Sequence, residues 1–185
     1  YYKVRLHKAL VQDLEFWETL MASPDVERRT MMMRPAALND TQAPLATDAT
    51  PFKGGAAYKR SWFTVDFKEK GLLHKSIMFK ELYMMIAAVM TWGHKLENTQ
   101  FIVWGDNKGA IGNMRKEWSR DADMHHLLKQ LATAGFKHNL QPRVRWLSTK
   151  DNTVADLLSR NKHIYCADLC TTPLDRRKIL VPNTL

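Results

Sequence analysis

The clearest sign of the architecture is the segment Phe101-Ile102-Val103-Trp104-Gly105-Asp106. Its four apolar residues form an unbroken run between polar residues, a pattern typical of a β-strand that is covered on both faces. Such strands lie in the middle of sheets that have helices packed against them. We therefore predict a central strand that ends just before Asp106.

Patterns on both sides of this strand predict the other elements. Apolar residues from Leu82 to Val89 recur at intervals of three, one and three, which predicts a helix over residues 79–93 with one buried stripe. Extended stretches are predicted over residues 42–48 and 62–67, a helix over 124–135, a strand after Pro142 and a last helix from about Asn152. The alternation of strands and helices predicts the α/β class.

The composition favours one soluble domain with a polyanionic partner. The chain has 185 residues and a formal charge of +9, and clustered Lys and Arg gain free energy from counterion release near phosphates. Two cysteines cannot build a disulfide framework. The longest apolar stretch, residues 82–92, is shorter than the roughly 20 residues of a spanning helix, so no membrane partner is expected.

The chain divides into three predicted regions. Residues 1–41 form an upstream amphipathic helix and a proline-containing linker, residues 42–160 the main domain, and residues 161–185 a basic tail. The chain begins at Tyr1 without methionine and lacks a signal-peptide pattern, so we expect it to be part of a longer intracellular protein whose compartment the sequence does not specify.

Four acidic residues stand at the ends or edges of the predicted elements: Asp48, Glu81, Asp106 and Asp156. Open α/β sheets place their sites at the carboxyl ends of strands, so Asp48 and Asp106 should meet if their strands are parallel neighbours. Clustered carboxylates need neutralising cations, and hard ions such as Mg²⁺ prefer oxygen ligands. Two such ions would suit in-line hydrolysis of a phosphodiester.

Each acid alone also has an ordinary structural interpretation. An Asp-Asn pair such as Asp106-Asn107 is common in turns and caps, and Glu81 fits a solvated helix face. Asp156 suits the N-terminal end of a helix dipole. Only the ordered set of four favours a metal site.

Four segments of the chain resemble the ribonuclease H domain of retroelement reverse transcriptases, and the resemblance covers about residues 42–160. The segments are Thr47-Asp48-Ala49-Thr50 with Gly55-Ala56, Lys80-Glu81-Leu82, Trp104-Gly105-Asp106-Asn107 and, as the most specific, Asn152-Thr153-Val154-Ala155-Asp156-Leu157-Leu158-Ser159-Arg160. Two further segments are similar to the DIRS-like, tyrosine-recombinase type: Asp13-Leu14-Glu15-Phe16-Trp17 and Asp106-Asn107-Lys108-Gly109-Ala110.

The resemblance implies a ribonuclease H-like α/β fold with a mixed five-stranded sheet and helices on both faces. It implies Asp48, Glu81, Asp106 and Asp156 as catalytic metal ligands. Two Mg²⁺ ions would be the cofactor, with Mn²⁺ as a substitute, and the RNA strand of RNA–DNA hybrids would be the substrate. The expected partner is an upstream polymerase domain of the same polypeptide.

One departure from the family concerns the loop before the last acidic motif. Cellular ribonucleases H and many retroelement relatives carry a histidine there, whereas this chain has Leu147-Ser148-Thr149-Lys150-Asp151. Its absence predicts slower turnover at an intact metal site, with Lys150 as a partial substitute. It also leaves a second function open: a domesticated, non-catalytic subunit that binds structured RNA in a ribonucleoprotein such as a mitochondrial ribosome.

Seven basic residues are the predicted nucleic-acid contacts: Lys108, Arg115, Lys116, Arg120, Arg143, Arg145 and Lys150. Most follow the third acidic motif, and Arg143 and Arg145 flank Val144 on the opposite side of a predicted strand. A solvated surface explains them equally well.

Other nucleases of the same fold fit the sequence less well. Transposases and integrases place a Glu third and last, whereas Glu81 stands second here and a fourth acid follows. Proofreading exonucleases have a Glu two residues after the first Asp, where this chain has Thr50.

Overall fold

The computed structural model describes residues 6–22, 45–162 and 175–178, which leaves most of the predicted linker and tail outside the described residues. Contacts divide the chain into two units, residues 1–35 and 36–185. In the first unit, the predicted upstream helix is present as α1, Lys8–Met21. The Nδ1 atom of His7 accepts a hydrogen bond from the Ala9 amide at 3.3 Å and caps its first turn.

The second unit is built from six strands and four helices within the described residues. In chain order they are β1 Leu45–Ala49, β2 Lys53–Tyr58, β3 Ser61–Asp66, α2 Ile77–Trp92, a 3₁₀ turn Gly93–Lys95, β4 Gln100–Gly105, α3 Lys108–Lys116, α4 Ala122–His138, β5 Gln141–Trp146, α5 Thr153–Ser159 and β6 Asp175–Lys178. Among all the described helices, none is both long and apolar enough to cross a membrane.

The strands form one mixed sheet in the order β5-β4-β1-β2-β3-β6. β2 runs antiparallel to β1 and β3, while β4 is parallel to both β1 and β5. The predicted five-stranded mixed sheet is confirmed in β1 to β5, and β6 extends it by parallel pairing with β3. The sequence patterns indicated no separate strand at residues 53–58, which form β2 of a hairpin with β3.

Helices cover both faces of the sheet, as predicted. On one face α2 packs against β1, β2 and β4, and α3 and α4 pack on α2. On the other face α5 lies across β1, β2 and β3. A large apolar cluster fills the α2 side, whereas the α5 side holds a small one centred on Ala57, Trp62 and Leu158.

The expectation of a single buried stripe on α2 is wrong. Every residue from Phe79 to Val89 is buried, including the positions between the predicted stripe residues. The reason is that α2 lies between the sheet and two other helices, so all of its sides face protein. Ser76 begins the helix by accepting a hydrogen bond from the Phe79 amide at 3.2 Å.

The expectation that β4 is covered on both faces is also wrong. Burial alternates along the strand: Phe101 and Val103 are buried, whereas Ile102 and Trp104 are only partly covered. The first pair faces α2, and the second lies on the face where α5 covers β1 to β3 instead. The neighbouring strand β5 is an edge strand and includes Pro142. An edge strand tolerates proline because no further strand pairs with its outer side.

Candidate metal centre

Three of the four predicted acids meet at one edge of the sheet. Asp48 lies near the end of β1, Asp106 directly follows β4, and Glu81 projects from the first half of α2. One carboxylate oxygen of each lies within 4.8 Å of the others. β1 and β4 are parallel neighbours, which meets the condition that the sequence analysis set for Asp48 and Asp106 to lie together.

Asp48 is buried and is held by the last residue of α5. The Ser159 hydroxyl donates a hydrogen bond to Asp48 Oδ2. Asp48 pairs in the sheet with Gly55 of β2, where a Cβ atom would lie 2.5 Å from Leu158 Cβ and 2.7 Å from the Ser159 nitrogen. The absent side chain at Gly55 therefore lets α5 approach the sheet closely enough for Ser159 to reach Asp48.

Glu81 is buried with one carboxylate oxygen unpaired. The residue is 3% exposed, and no described group donates a hydrogen bond to its Oε2 atom. Its neighbour Lys80 turns away and donates to the carbonyl oxygens of Pro51 at 2.7 Å and Leu73 at 3.1 Å. Lys80 therefore anchors the start of α2 to the turn after β1 instead of neutralising Glu81.

The pKa values of the two buried acids reflect this arrangement. Burial, followed by the charges of Asp48 and Asp106, raises the pKa of Glu81 to about 9. Burial also raises the pKa of Asp48 to about 6, with the Ser159 hydrogen bond acting in the opposite direction. Without a cation, the centre therefore holds a proton on Glu81 at neutral pH.

Asp106 is more accessible and has a different set of contacts. Its Oδ2 atom accepts from the Thr149 hydroxyl at 2.8 Å, and its backbone oxygen accepts from the Trp146 indole at 2.9 Å. The capping role that an Asp-Asn pair suggests belongs to Asn107, whose side chain accepts from the Gly109 and Ala110 amides at 3.0 Å each. Asp106 itself is left to face the other two acids.

Asp156 lies beside this group with its carboxylate engaged elsewhere. It is in the first turn of α5, and its Oδ1 atom accepts from Arg160 Nε at 2.8 Å. Its charge contributes to the raised pKa of Asp48, which places it in electrostatic range of the centre. Its role as a metal ligand stays a prediction.

The three gathered acids fit a hard divalent cation. Carboxylate oxygens are the ligands that Mg²⁺ prefers, and the unpaired Glu81 oxygen is a buried acceptor that lacks a proton donor. A cation would also remove the mutual repulsion that raises the Glu81 pKa. The three carboxylates can thus hold a metal ion.

The seven basic residues differ in how freely they can meet a nucleic acid. Arg115 donates from Nε and Nη2 to the Val144 carbonyl at 3.2 and 3.0 Å. Arg143 donates to the Gln100 side-chain oxygen at 2.8 Å in the amide orientation that satisfies both groups. Lys108 lies over the Trp146 ring, 5.5 Å from its centroid. The remaining exposed side chains are Lys116, Arg120, Arg145 and Lys150.

Sequence reasoning missed four residues that shape the centre: Thr149, Ser159, Asn152 and Trp146. Asn152 is buried and donates from Nδ2 to the Thr47 carbonyl at 2.8 Å, which ties the start of α5 to β1. Ser159 and Asn152 belong to the most specific segment of the resemblance, so the motif marked them without indicating their contacts. Thr149 occupies the loop in which the resemblance predicts a histidine.

No protein-family model and no curated protein matches the chain. Among solved structures, it is similar to the RNase H1 of the halophilic archaeon Halobacterium salinarum, with 12% identity, a TM-score of 0.48 and coverage of 69% of this chain and 97% of that one. It is also similar to the N-terminal RNase H domain of a Mycobacterium tuberculosis protein solved as a fusion with maltose-binding protein. There the identity is 16%, the TM-score 0.45 and the coverage 69% and 94%.

The fold follows from the arrangement of the strands. Strands β1 to β5 lie in the order 3-2-1-4-5 with only β2 reversed, and helices cover both faces. The α/β ribonuclease H-like fold predicted from the sequence is confirmed.

Proposed function

We propose that this protein is an endonuclease that hydrolyses the RNA strand of RNA–DNA hybrids with two bound Mg²⁺ ions, for which Mn²⁺ can substitute. The observation that carries the proposal is the convergence of Asp48, Glu81 and Asp106 within 4.8 Å at the carboxyl edge of the sheet. The unpaired oxygen of Glu81 supports it, because this buried carboxyl group can be ionised at neutral pH only at a high cost unless a cation binds.

The residues of the centre divide the work between binding and positioning. Asp48, Glu81 and Asp106 supply the ligand oxygens, with Asp156 as the fourth acid beside them. When bound, the ions lower the pKa of an attacking water and neutralise charge that develops on the phosphate. Ser159 and Thr149 donate to Asp48 and Asp106 and thereby restrict the orientations of these two carboxylates.

The basic residues near this edge supply the nucleic-acid surface. Lys108 and Trp146 lie next to Asp106 and present a cation and an exposed aromatic ring to a bound strand. Lys150 and Arg145 are exposed and free to contact phosphates. Arg115 and Arg143 contribute positive charge while their guanidinium groups also support β5 and Gln100.

We further propose that the chain is the ribonuclease H part of a DIRS-like retroelement reverse transcriptase. Its four motif segments and the upstream segment Asp13-Leu14-Glu15-Phe16-Trp17 support this origin. In this proposal residues 1–41 connect to a polymerase domain, residues 42–160 carry the chemistry, and residues 161–185 form a basic tail from which β6 joins the sheet. A domesticated, RNA-binding subunit of a ribonucleoprotein is the outcome to expect if the acids have no activity.

The test is cleavage of a labelled RNA–DNA hybrid in Mg²⁺ by the full chain and by Asp106→Asn. Removing one ligand should slow cleavage by about 10²- to 10⁴-fold, because a metal ion contributes several kcal/mol to transition-state stabilisation. The matched control is Asp123→Asn, which alters an exposed carboxylate on α4 that forms an ion pair with Lys75. This substitution should leave the cleavage rate unchanged.

Two outcomes would contradict the proposal. Asp106→Asn could cleave as fast as the wild type, which would place the chemistry elsewhere. Alternatively, the folded wild type could bind the hybrid without cutting it in either Mg²⁺ or Mn²⁺, which would favour the RNA-binding subunit. Comparing single-turnover with multiple-turnover rates tests whether the missing histidine slows product release. Slow release should lower only the multiple-turnover rate.

A further inference from the structure

Helix α5 is joined to β1 by buried polar contacts at both of its ends. Asn152, just before the first helical residue, donates to the Thr47 carbonyl at 2.8 Å. Ser159, the last helical residue, donates to Asp48 Oδ2. Both residues are 2% exposed, so water has little access to these bonds. The contacts fix α5 against the strand that carries Asp48.

The close approach of α5 depends on the bare backbone of β2. At Gly55, a Cβ atom would lie 2.8 Å from the Ala155 carbonyl oxygen in addition to its contacts with Leu158 and Ser159. Two of these three neighbours are backbone atoms, which cannot move without shifting the helix. Gly55 therefore determines how closely α5 approaches the sheet, and with it the position of the Ser159 hydroxyl relative to the Asp48 carboxylate.

We propose that Ser159 is a positioning residue for the metal centre, which holds the Asp48 carboxylate so that its other oxygen is presented to a divalent cation together with Glu81 and Asp106. This inference rests on the metal site of the proposed function. It assigns Ser159 no contact with the cation or the substrate. The hydroxyl acts only through the orientation of Asp48.

A hydroxyl is needed here because Asp48 and its surroundings are buried. A buried carboxylate that loses its hydrogen-bond donor is no longer held in one rotamer. A hydrogen bond to a charged group is strong enough to change a binding constant by roughly 10- to 100-fold. Ser159 Oγ also lies 2.9 Å from the Asp156 carbonyl oxygen, a second acceptor that competes with Asp48 for the single hydroxyl proton. An alanine would fill nearly the same space without holding the carboxylate.

The contrast with the other two acids singles out Ser159. Asp106 is held by Thr149, which is exposed and can be replaced by water. For the Oε2 atom of Glu81, no donor is present among the described residues. Within the described part of the chain, Ser159 is thus the buried side chain that donates to a carboxylate of the three-acid group.

The experiment is calorimetric titration of the full chain with Mg²⁺ and, separately, with Ca²⁺ as a probe that requires no turnover. Ser159→Ala should weaken binding of either ion by roughly 10- to 100-fold. The matched control is Ser119→Ala, another buried serine, whose hydroxyl accepts from the Asp121 amide at 3.2 Å. The control should lower the melting temperature without changing the affinity for either ion.

Two further variants separate positioning from a general loss of structure. Ser159→Cys replaces the hydroxyl by a larger thiol that is a weaker donor, so its affinity should lie between those of the alanine variant and the wild type. In an Asp48→Ala background, Ser159→Ala should have no additional effect on metal affinity, because the group through which it acts is gone. Ser159→Ala with wild-type affinity would overturn the inference, as would a full additional effect in that background.

The titration separates this inference from the proposed function. Serine-dependent metal binding without hybrid cleavage would refute the nuclease and leave the role of Ser159 intact. Hybrid cleavage with metal affinity independent of Ser159 would refute the role of Ser159 alone. A wild-type protein that binds neither ion at millimolar concentration would overturn both.

Discussion

The two faces of the sheet supply the metal centre in different ways. On the α2 face, Glu81 enters the centre from a helix that is buried on all sides, and its Oε2 atom has no described donor. On the α5 face, Asp48 is held by the hydroxyl of Ser159 on a short helix above a small apolar cluster. The α2 face therefore contributes most of the apolar burial, and the α5 face contributes the polar contacts that orient a ligand.

The largest expected effect concerns apolar packing on the two faces. Leu82→Ala on α2 and Leu158→Ala on α5 both remove fully buried side chains, at costs of about 3–5 and about 2–3 kcal/mol respectively. The difference arises because the small cluster around Leu158 can relax more easily. Urea unfolding measures both, with the exposed Leu73→Ala as the control. Equal losses of unfolding free energy would contradict the proposal that the α2 face contributes more to stability than the α5 face.

The next effect concerns the cost of burying Glu81 without a cation. Its pKa is raised from 4.5 to about 9, so the folded state binds more protons than the unfolded state between these values. Stability of the metal-free protein must therefore fall as pH rises from 4.5 towards 9. Glu81→Gln should remove this dependence above pH 6, where Asp48, whose own pKa is raised to about 6, no longer contributes, and should add up to about 3 kcal/mol at neutral pH.

Thermal unfolding in EDTA across this pH range checks the Glu81 prediction. The control is Glu69→Gln, which alters an exposed carboxylate and should leave the pH profile unchanged. Mg²⁺ should stabilise the wild type more than Glu81→Gln, because the ion binds the ionised carboxylate. A Glu81→Gln protein with the same pH profile as the wild type would show that the acid is not buried in this way.

A smaller effect tests the approach of α5 to the sheet. Gly55→Ala places a Cβ against backbone atoms of α5 and should cost about 1–3 kcal/mol. It should also weaken Mg²⁺ binding, because the helix that carries Ser159 must shift. Gly112→Ala is the matched control: its Cβ meets nothing within 4 Å inside α3, so it should stabilise slightly. Unchanged metal affinity in Gly55→Ala would show that the position of α5 does not affect metal binding at the centre.

The smallest effect concerns the exposed strand face beside the site. Arg145→Gln should reduce the salt dependence of hybrid binding by about one unit of slope, with little change in protein stability. Fluorescence anisotropy at several salt concentrations in EDTA measures it. Lys137→Gln, an exposed cation near the end of α4, should leave the slope unchanged. Equal effects of both substitutions would indicate that net charge alone determines binding.

Local patterns predicted the elements that such patterns describe well. The apolar run before Asp106 predicted β4, and the order of helices and strands predicted the α/β class. They failed where burial comes from distant segments: α2 is enclosed because α3 and α4 cover its outer side, and β4 is half-covered because α5 ends over β1 to β3. Strand β2 was not predicted as a separate strand because Gly54 and Gly55 lower the strand propensity of this segment.

By itself, the sequence determined the α/β class, the excess of positive charge and four acids in the order that resembles a ribonuclease H. Only the tertiary structure decided that Asp48, Glu81 and Asp106 share one centre, that Arg160 engages Asp156, and that Ser159 holds Asp48 across 111 residues of chain. The physical reason is that side-chain spacing specifies which faces are apolar, whereas contacts between distant residues depend on how those faces pack. At this site, packing also sets which carboxylates are buried and which of them find a donor.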